Sequence, residues 1–108
     1  MFEKYLYPAL IVCALVLCSA PPAWAHTPLF ACFDNGDGTI YCEGGFSDGS
    51  TAAGVPIIVR AASGGVIVKG ELSRNSDIEF DKPEGDYTVL FDGGEGHSIE
   101  IPGSQIFE

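Results

Sequence analysis

From Pro28 onward the chain repeats one pattern: a short run in which apolar residues alternate with polar ones, then a turn rich in glycine, aspartate or asparagine. The runs are LFACF, TIYCEGGF, VPIIVRA, VIVKGEL, IEF, DYTVLFD and HSIEI. No stretch repeats with the 3.6-residue period of an amphipathic helix, whereas period-two alternation is the mark of a half-buried strand. In VPIIVRA, Val55, Ile57 and Val59 share a face, and in DYTVLFD so do Tyr87, Val89 and Phe91. In VIVKGEL, Val66, Val68 and Leu72 alternate with Ile67, Lys69 and Glu71, and His97, Ile99 and Ile101 share a face in the last run. Seven strands at intervals of roughly 8–12 residues predict a small all-β sandwich of immunoglobulin-like type. Ile57, Val59, Val68, Phe80, Tyr87, Val89 and Phe91 are its expected inward residues. The closing PGSQIFE is expected either as an edge segment or as a frayed end.

The first two runs make a hairpin. FDNGDGTIY, between Cys32 and Cys42, holds an Asn-Gly and an Asp-Gly step, both of which favour tight hairpin turns. Centring the turn on Asp37 sets 32 opposite 42, 33 opposite 41 and 34 opposite 40. The two thiols then face each other across the strands and predict a disulfide; two thiols alone make a poor metal site. Closing such a loop contributes roughly 2–4 kcal/mol, a large share of the stability of so small a domain.

Ahead of this domain, LYPALIVCALVLCSA (Leu6 to Ala20) is apolar but shorter than the roughly 20 residues a bilayer span requires. It fits the hydrophobic region of a signal peptide. Ala23 and Ala25 flank Trp24 in a small-x-small cleavage pattern, while a cut after Ala20 would leave Pro21 at the new terminus. Leu17 argues against lipidation of Cys18. The expected division is a signal peptide, residues 1–25, and one sandwich domain, residues 26–108, exported to the periplasm or beyond. An oxidising compartment suits the disulfide. The exported chain carries four cations (Arg60, Lys69, Arg74 and Lys82) against 14 carboxylates, a formal charge of −10. Such a chain repels nucleic acid and anionic lipid and concentrates cations around itself. No second apolar run follows, so the mature chain is expected not to span a membrane.

The run AGVPIIVRAASGGVIVKGELSRNSDIEFDKPEGDYTVLFD resembles the carboxypeptidase regulatory-like, or transthyretin-like, seven-stranded sandwich. Gly54, Pro56 and Ile57 match that superfamily's opening strand, and Pro83, Gly85 and Tyr87 match its corner before a central strand. Such modules are grafted onto many activities. The flanks, AHTPLFACFDNGDGTIYCEGGFSDGS and FDGGEGHSIEI, resemble small periplasmic components that accompany bacterial nickel or cobalt uptake transporters. The resemblance implies a non-enzymatic protein that handles the metal outside the membrane, with the transporter's membrane components as partners. Some such components carry a transmembrane helix that this sequence lacks.

Cleavage after Ala25 would make His26 the first residue. An N-terminal histidine can chelate through its α-amine and Nδ1, and a second imidazole would complete three nitrogens, a set that suits nickel, cobalt or copper. His97 is the other histidine. The bland alternatives are a polar residue on a frayed terminus for His26 and a satisfied ring at a strand start for His97. Asp92 and Glu95 flank His97 and are candidates for an oxygen ligand or for orienting an imidazole.

Other motifs lead nowhere. In DNGDG, Gly36 and Gly38 occupy positions where a calcium loop needs oxygen ligands. GGEG follows Asp92 and contains Glu95, and both carboxylates oppose phosphate. No nucleophile–base pair is visible, because Ser98 points to the strand face opposite His97, and the domain offers little platform for an N-terminal-histidine copper oxygenase. The expectation is therefore an exported metal-binding accessory protein with no catalytic residues. The alternative is a metal-free sandwich used for docking or adhesion.

Overall fold

A computed structural model describes residues 26–108, and the predicted signal peptide, residues 1–25, lies outside them. All seven predicted strands form: β1 (Pro28–Asp34), β2 (Thr39–Phe46), β3 (Pro56–Ala61), β4 (Val66–Glu71), β5 (Asp77–Asp81), β6 (Tyr87–Asp92) and β7 (Ser98–Pro102). They make two antiparallel sheets, one in the order β1-β2-β5 and the other β4-β3-β6-β7. Consecutive strands pair as hairpins within a sheet or cross between sheets, the connectivity of an immunoglobulin-like sandwich. Here β4 pairs with β3, whereas in the constant-type immunoglobulin domain the fourth strand joins the sheet of the first two.

The expected hairpin register holds, with Cys32 opposite Cys42, Phe33 opposite Tyr41 and Asp34 opposite Ile40. The reason lies in the turn. The Asp34 carboxylate accepts from Gly36 N (2.8 Å), and Asp37 accepts from Thr39 N (3.1 Å) and its hydroxyl (2.5 Å). Gly36 and Gly38 take φ of 77° and 92°, the left-handed region that disfavours a side chain. Cys32 and Cys42 are joined as a disulfide, and Cys42 is wholly buried.

The core lies between the sheets. Ile40 and Cys42 face Ile57, Val59, Val89 and Phe91, with Phe80 and Tyr87 toward the other end. Val68 is half-buried against them, so the expected inward set is inside. The core also takes in residues outside that set: Ile40 and Cys42 of β2, Ala52 on the connection after β2, Leu72 just past β4, which the alternation places on the Val68 face, and Ile106 in the tail. That tail is pinned. A 3₁₀ turn, Gly103–Gln105, follows β7, and Asp34 N then donates to Phe107 O (2.9 Å).

One expected face is broken. Val59 pairs with Val68, but Arg60 pairs with Val66, leaving Ile67 as an extra residue in a β-bulge. A one-residue slip turns side chains to the other face, so Val66 sits opposite outward Arg60 and is 54% exposed, not inward with Val68. No helix among the described residues is long and apolar enough to cross a membrane.

Candidate metal centre

His26 and His97 come to one place. Both line an open cavity of about 330 Å³ at one end of the sandwich, together with Phe46, Ser50 and Gly93. Two features bring them there. β1 and β7 are the neighbouring edges of the two sheets; His97 immediately precedes β7 and His26 stands two residues ahead of β1. Phe91, at the end of β6, then packs against Phe30 of β1 (ring centroids 5.1 Å) and Phe46 of β2 (6.0 Å), which aligns the two strand starts.

His26 is not on a frayed end. Thr27 N donates to the Ser47 hydroxyl (3.0 Å), and Ser47 N donates to Thr27 O (2.9 Å). These bonds carry the β1–β2 ladder one residue past Pro28–Phe46. The next pair in that register is His26 and Asp48, and His26 Nδ1 lies 2.7 Å from the Asp48 Oδ2. Asp48 is in turn fixed through its other oxygen, which accepts from Ser50 N (2.9 Å) and the Ser50 hydroxyl (2.6 Å). Those two bonds, and then the nearness of His26, hold the Asp48 carboxyl below the usual carboxylate range despite partial burial. An ionised carboxylate only accepts, so Nδ1 carries the proton in this contact and Nε2 keeps its lone pair while the ring is neutral.

His97 is held in the same sense. Its Nδ1 lies 3.0 Å from the main-chain oxygen of Glu95, an acceptor, so here too Nδ1 is the donor and Nε2 carries the free pair of the neutral ring. Phe46 stands edge-on to the imidazole, centroids 6.3 Å apart at 75°. The loop returns tightly at Gly93, whose N donates to His97 O (3.1 Å). A Cβ at Gly93 would come within 2.5 Å of His97 O and 2.9 Å of the Phe91 ring, so only glycine allows this approach.

The expected carboxylates behave differently from the histidines. Neither Asp92 nor Glu95 lines the cavity. Asp92 accepts from Gly94 N (3.3 Å) in its own loop, and Glu95 serves His97 through its main chain while its side chain is exposed. The carboxylate that does reach a histidine is Asp48. Ser98 is turned away, its hydroxyl donating to Gly94 O (3.4 Å).

The donor set is thus two imidazoles, each oriented through Nδ1 by an oxygen acceptor and each offering the Nε2 lone pair whenever its ring is neutral. Metal-binding histidines are commonly held in this way. Among the described residues no group of three His, Cys, Asp or Glu side chains gathers closely enough to hold an ion unaided. Comparison with known proteins found no matching family, no similar curated protein and no similar solved structure.

Proposed function

We propose that this protein is an exported, non-enzymatic metal-binding accessory that captures nickel or cobalt outside the membrane and passes it to the membrane components of an uptake transporter. The observation that carries the reading is the meeting of the chain's two histidines in one cavity, each with Nδ1 tied to oxygen. Neutral imidazole nitrogens suit late divalent transition metals, and copper would compete on raw affinity. The α-amine of His26, freed when the signal peptide is cut after Ala25, offers a further nitrogen. The ladder bonds at Thr27 hold that amine one residue from a fixed point, beside the cavity. Chelation through the amine and Nδ1 would require Asp48 to let go of the ring. Coordination through Nε2 leaves the Asp48 bond intact and is the arrangement the geometry favours; it leaves the α-amine of the same residue out of reach of that ion, so the two imidazoles are then the nitrogens the protein supplies.

The acidic surface supports the same reading, since a formal charge of −10 draws cations toward the chain. Export agrees with the Cys32–Cys42 disulfide, a bond that persists in oxidising compartments. The sequence resemblance to periplasmic partners of nickel and cobalt transporters names the setting.

Calorimetry on the exported protein tests this with Ni(II), Co(II) and Cu(II). One ion should bind per chain and His97→Ala should weaken binding, whereas one residue added ahead of His26 should weaken it only where the α-amine, with Nδ1 released from Asp48, is a ligand. Affinities unmoved by both changes would replace the metal reading with a sandwich used for docking.

A further inference from the structure

The outer face of the β1-β2-β5 sheet is divided by chemistry. Cross-strand register assigns its rows. On β1 the outward residues are Leu29, Ala31 and Phe33; opposite them on β2 stand Gly45, Glu43 and Tyr41; beyond those on β5 come Asp77 and Glu79, with Asp81 opposite Thr39. One edge of the face is an apolar row, with Leu29 53% and Phe33 44% exposed. The other edge is a row of carboxylates.

Among the described residues that row has no cation of its own. Lys82 is paired with Asp34 (2.7 Å), while Arg60 and Lys69 extend from the other sheet, and Arg74 lies in the loop before β5 in no ion pair. Among the described residues neither ion pair involves Glu43, Glu79 or Asp81. Asp77 is partly engaged, accepting from the Tyr41 hydroxyl (3.0 Å) and from Ser73, and these bonds keep its carboxyl ionised. The opposite outer face is mixed in sign, since Arg60 and Lys69 share it with Glu71 and Glu100. The single-signed face is therefore a local feature and not a consequence of net charge alone.

We propose that this face docks a basic amphipathic helix of a protein partner, its apolar stripe on Leu29, Ala31 and Phe33 and its Lys or Arg row over Glu79 and Asp81, with Glu43 between the two rows. Dimensions fit: two strand spacings separate the rows by about 10 Å, close to the roughly 10–12 Å diameter of a helix with its side chains. Charge selects the partner. Anionic lipid is repelled by the acid row, and a second copy of this chain would oppose one acidic molecule with another. The Leu29 end of the apolar row adjoins the Pro28–Phe46 pair, and Phe46 lines the histidine cavity. A docked helix would thus end beside that cavity, although the surface stands independently of whether metal binds there.

The test uses the exported, oxidised protein and two synthetic helical peptides, one with a leucine stripe beside a lysine row and one with glutamate replacing each lysine. Amide resonances are mapped and affinity is measured at about 0.15 M salt, where weak surface electrostatics are screened. The lysine peptide should shift residues 29–33, 41–43 and 79–81. Leu29→Ser with Phe33→Ser, and separately Glu79→Gln with Asp81→Asn, should each weaken binding about tenfold, as loss of an anchor does. Glu71→Gln with Glu100→Gln, which removes the same charge from the other sheet, should change it less than about twofold. Equal weakening by the control pair would reduce the effect to net charge. Equal binding of the glutamate peptide, shifts on the other sheet, or self-association through this face would each overturn the proposal.

Discussion

Asp48 fixes the tautomer of His26 and is itself fixed by Ser50. Removing its charge while keeping its shape separates orientation from packing. Asp48→Asn should weaken Ni(II) or Cu(II) binding by about tenfold or somewhat more, the usual cost of losing a partner that orients a ligand. The thermal midpoint should move little, because the pair lies at the surface. A calorimetric titration beside a melting curve checks both. Asp48 was recoverable from the sequence. The hairpin centred on Asp37 sets Cys32 against Cys42, and the same register run outward sets His26 against Asp48; the missing step was to continue the ladder beyond Pro28. His97 was legible as a candidate, but its nearness to His26 was not. That depends on which sheet edges adjoin and which way they run, and the Phe30–Phe91–Phe46 packing decides it.

Among the elements, the β1–β2 hairpin concentrates the most local information, and its disulfide ties the first two strands together. Cys32→Ala with Cys42→Ala should lower unfolding free energy by roughly 2–4 kcal/mol, read from urea denaturation. A chain with both cysteines free and undiminished stability would contradict that. The 3₁₀ turn after β7 makes a second demand. A Cβ at Gly103 would meet the Tyr87 ring at 2.5 Å, whereas at Gly45 it would meet nothing. Gly103→Ala should cost about 1–3 kcal/mol, the range for overpacking, and Gly45→Ala should be nearly silent. Strand positions were readable because alternation is a local property. The bulge at Ile67 was not, since GGVIVKGE alternates equally well without it. Only pairing with β3 shows Val66 turned outward. Ile106 escaped for a related reason: it is an isolated apolar residue whose burial depends on chain that folds back from elsewhere.

For the molecule as a whole, several charged groups share one direction of linkage. Hydrogen bonds from Lys82 and Gly36 depress the Asp34 carboxyl, bonds from Ser50 depress Asp48, and bonds from Ser73 and Tyr41 depress Asp77. Unfolded aspartates titrate near about 4, so this stabilisation is complete above that pH and fades as pH falls through the lower folded values. At the other limit, Asp34 raises the Lys82 ammonium, and Tyr41 and Tyr87 are raised by the Asp77 bond and by burial respectively. Unfolded tyrosine and lysine titrate near about 10. Above that pH the unfolded chain loses protons that the folded one keeps, and stability falls again. Thermal midpoints measured from pH 2 to 11 should therefore show a plateau between about pH 5 and 9 with losses on both sides. Added salt should raise the plateau by screening the self-repulsion of a chain with formal charge −10. A midpoint that climbs steadily toward pH 2 would show that net repulsion outweighs the aspartate bonds.

The central claim is that one cation is held between His26 and His97, and paramagnetic broadening locates it most directly. Substoichiometric Cu(II) added to isotopically labelled protein beginning at His26 should first erase the resonances of His26, Phe46, Asp48, Gly93 and His97, the histidines and their neighbours around the cavity. His97→Ala should abolish that pattern. Broadening that instead begins along Glu43, Glu79 and Asp81, or spreads evenly over the acidic surface, would contradict the account.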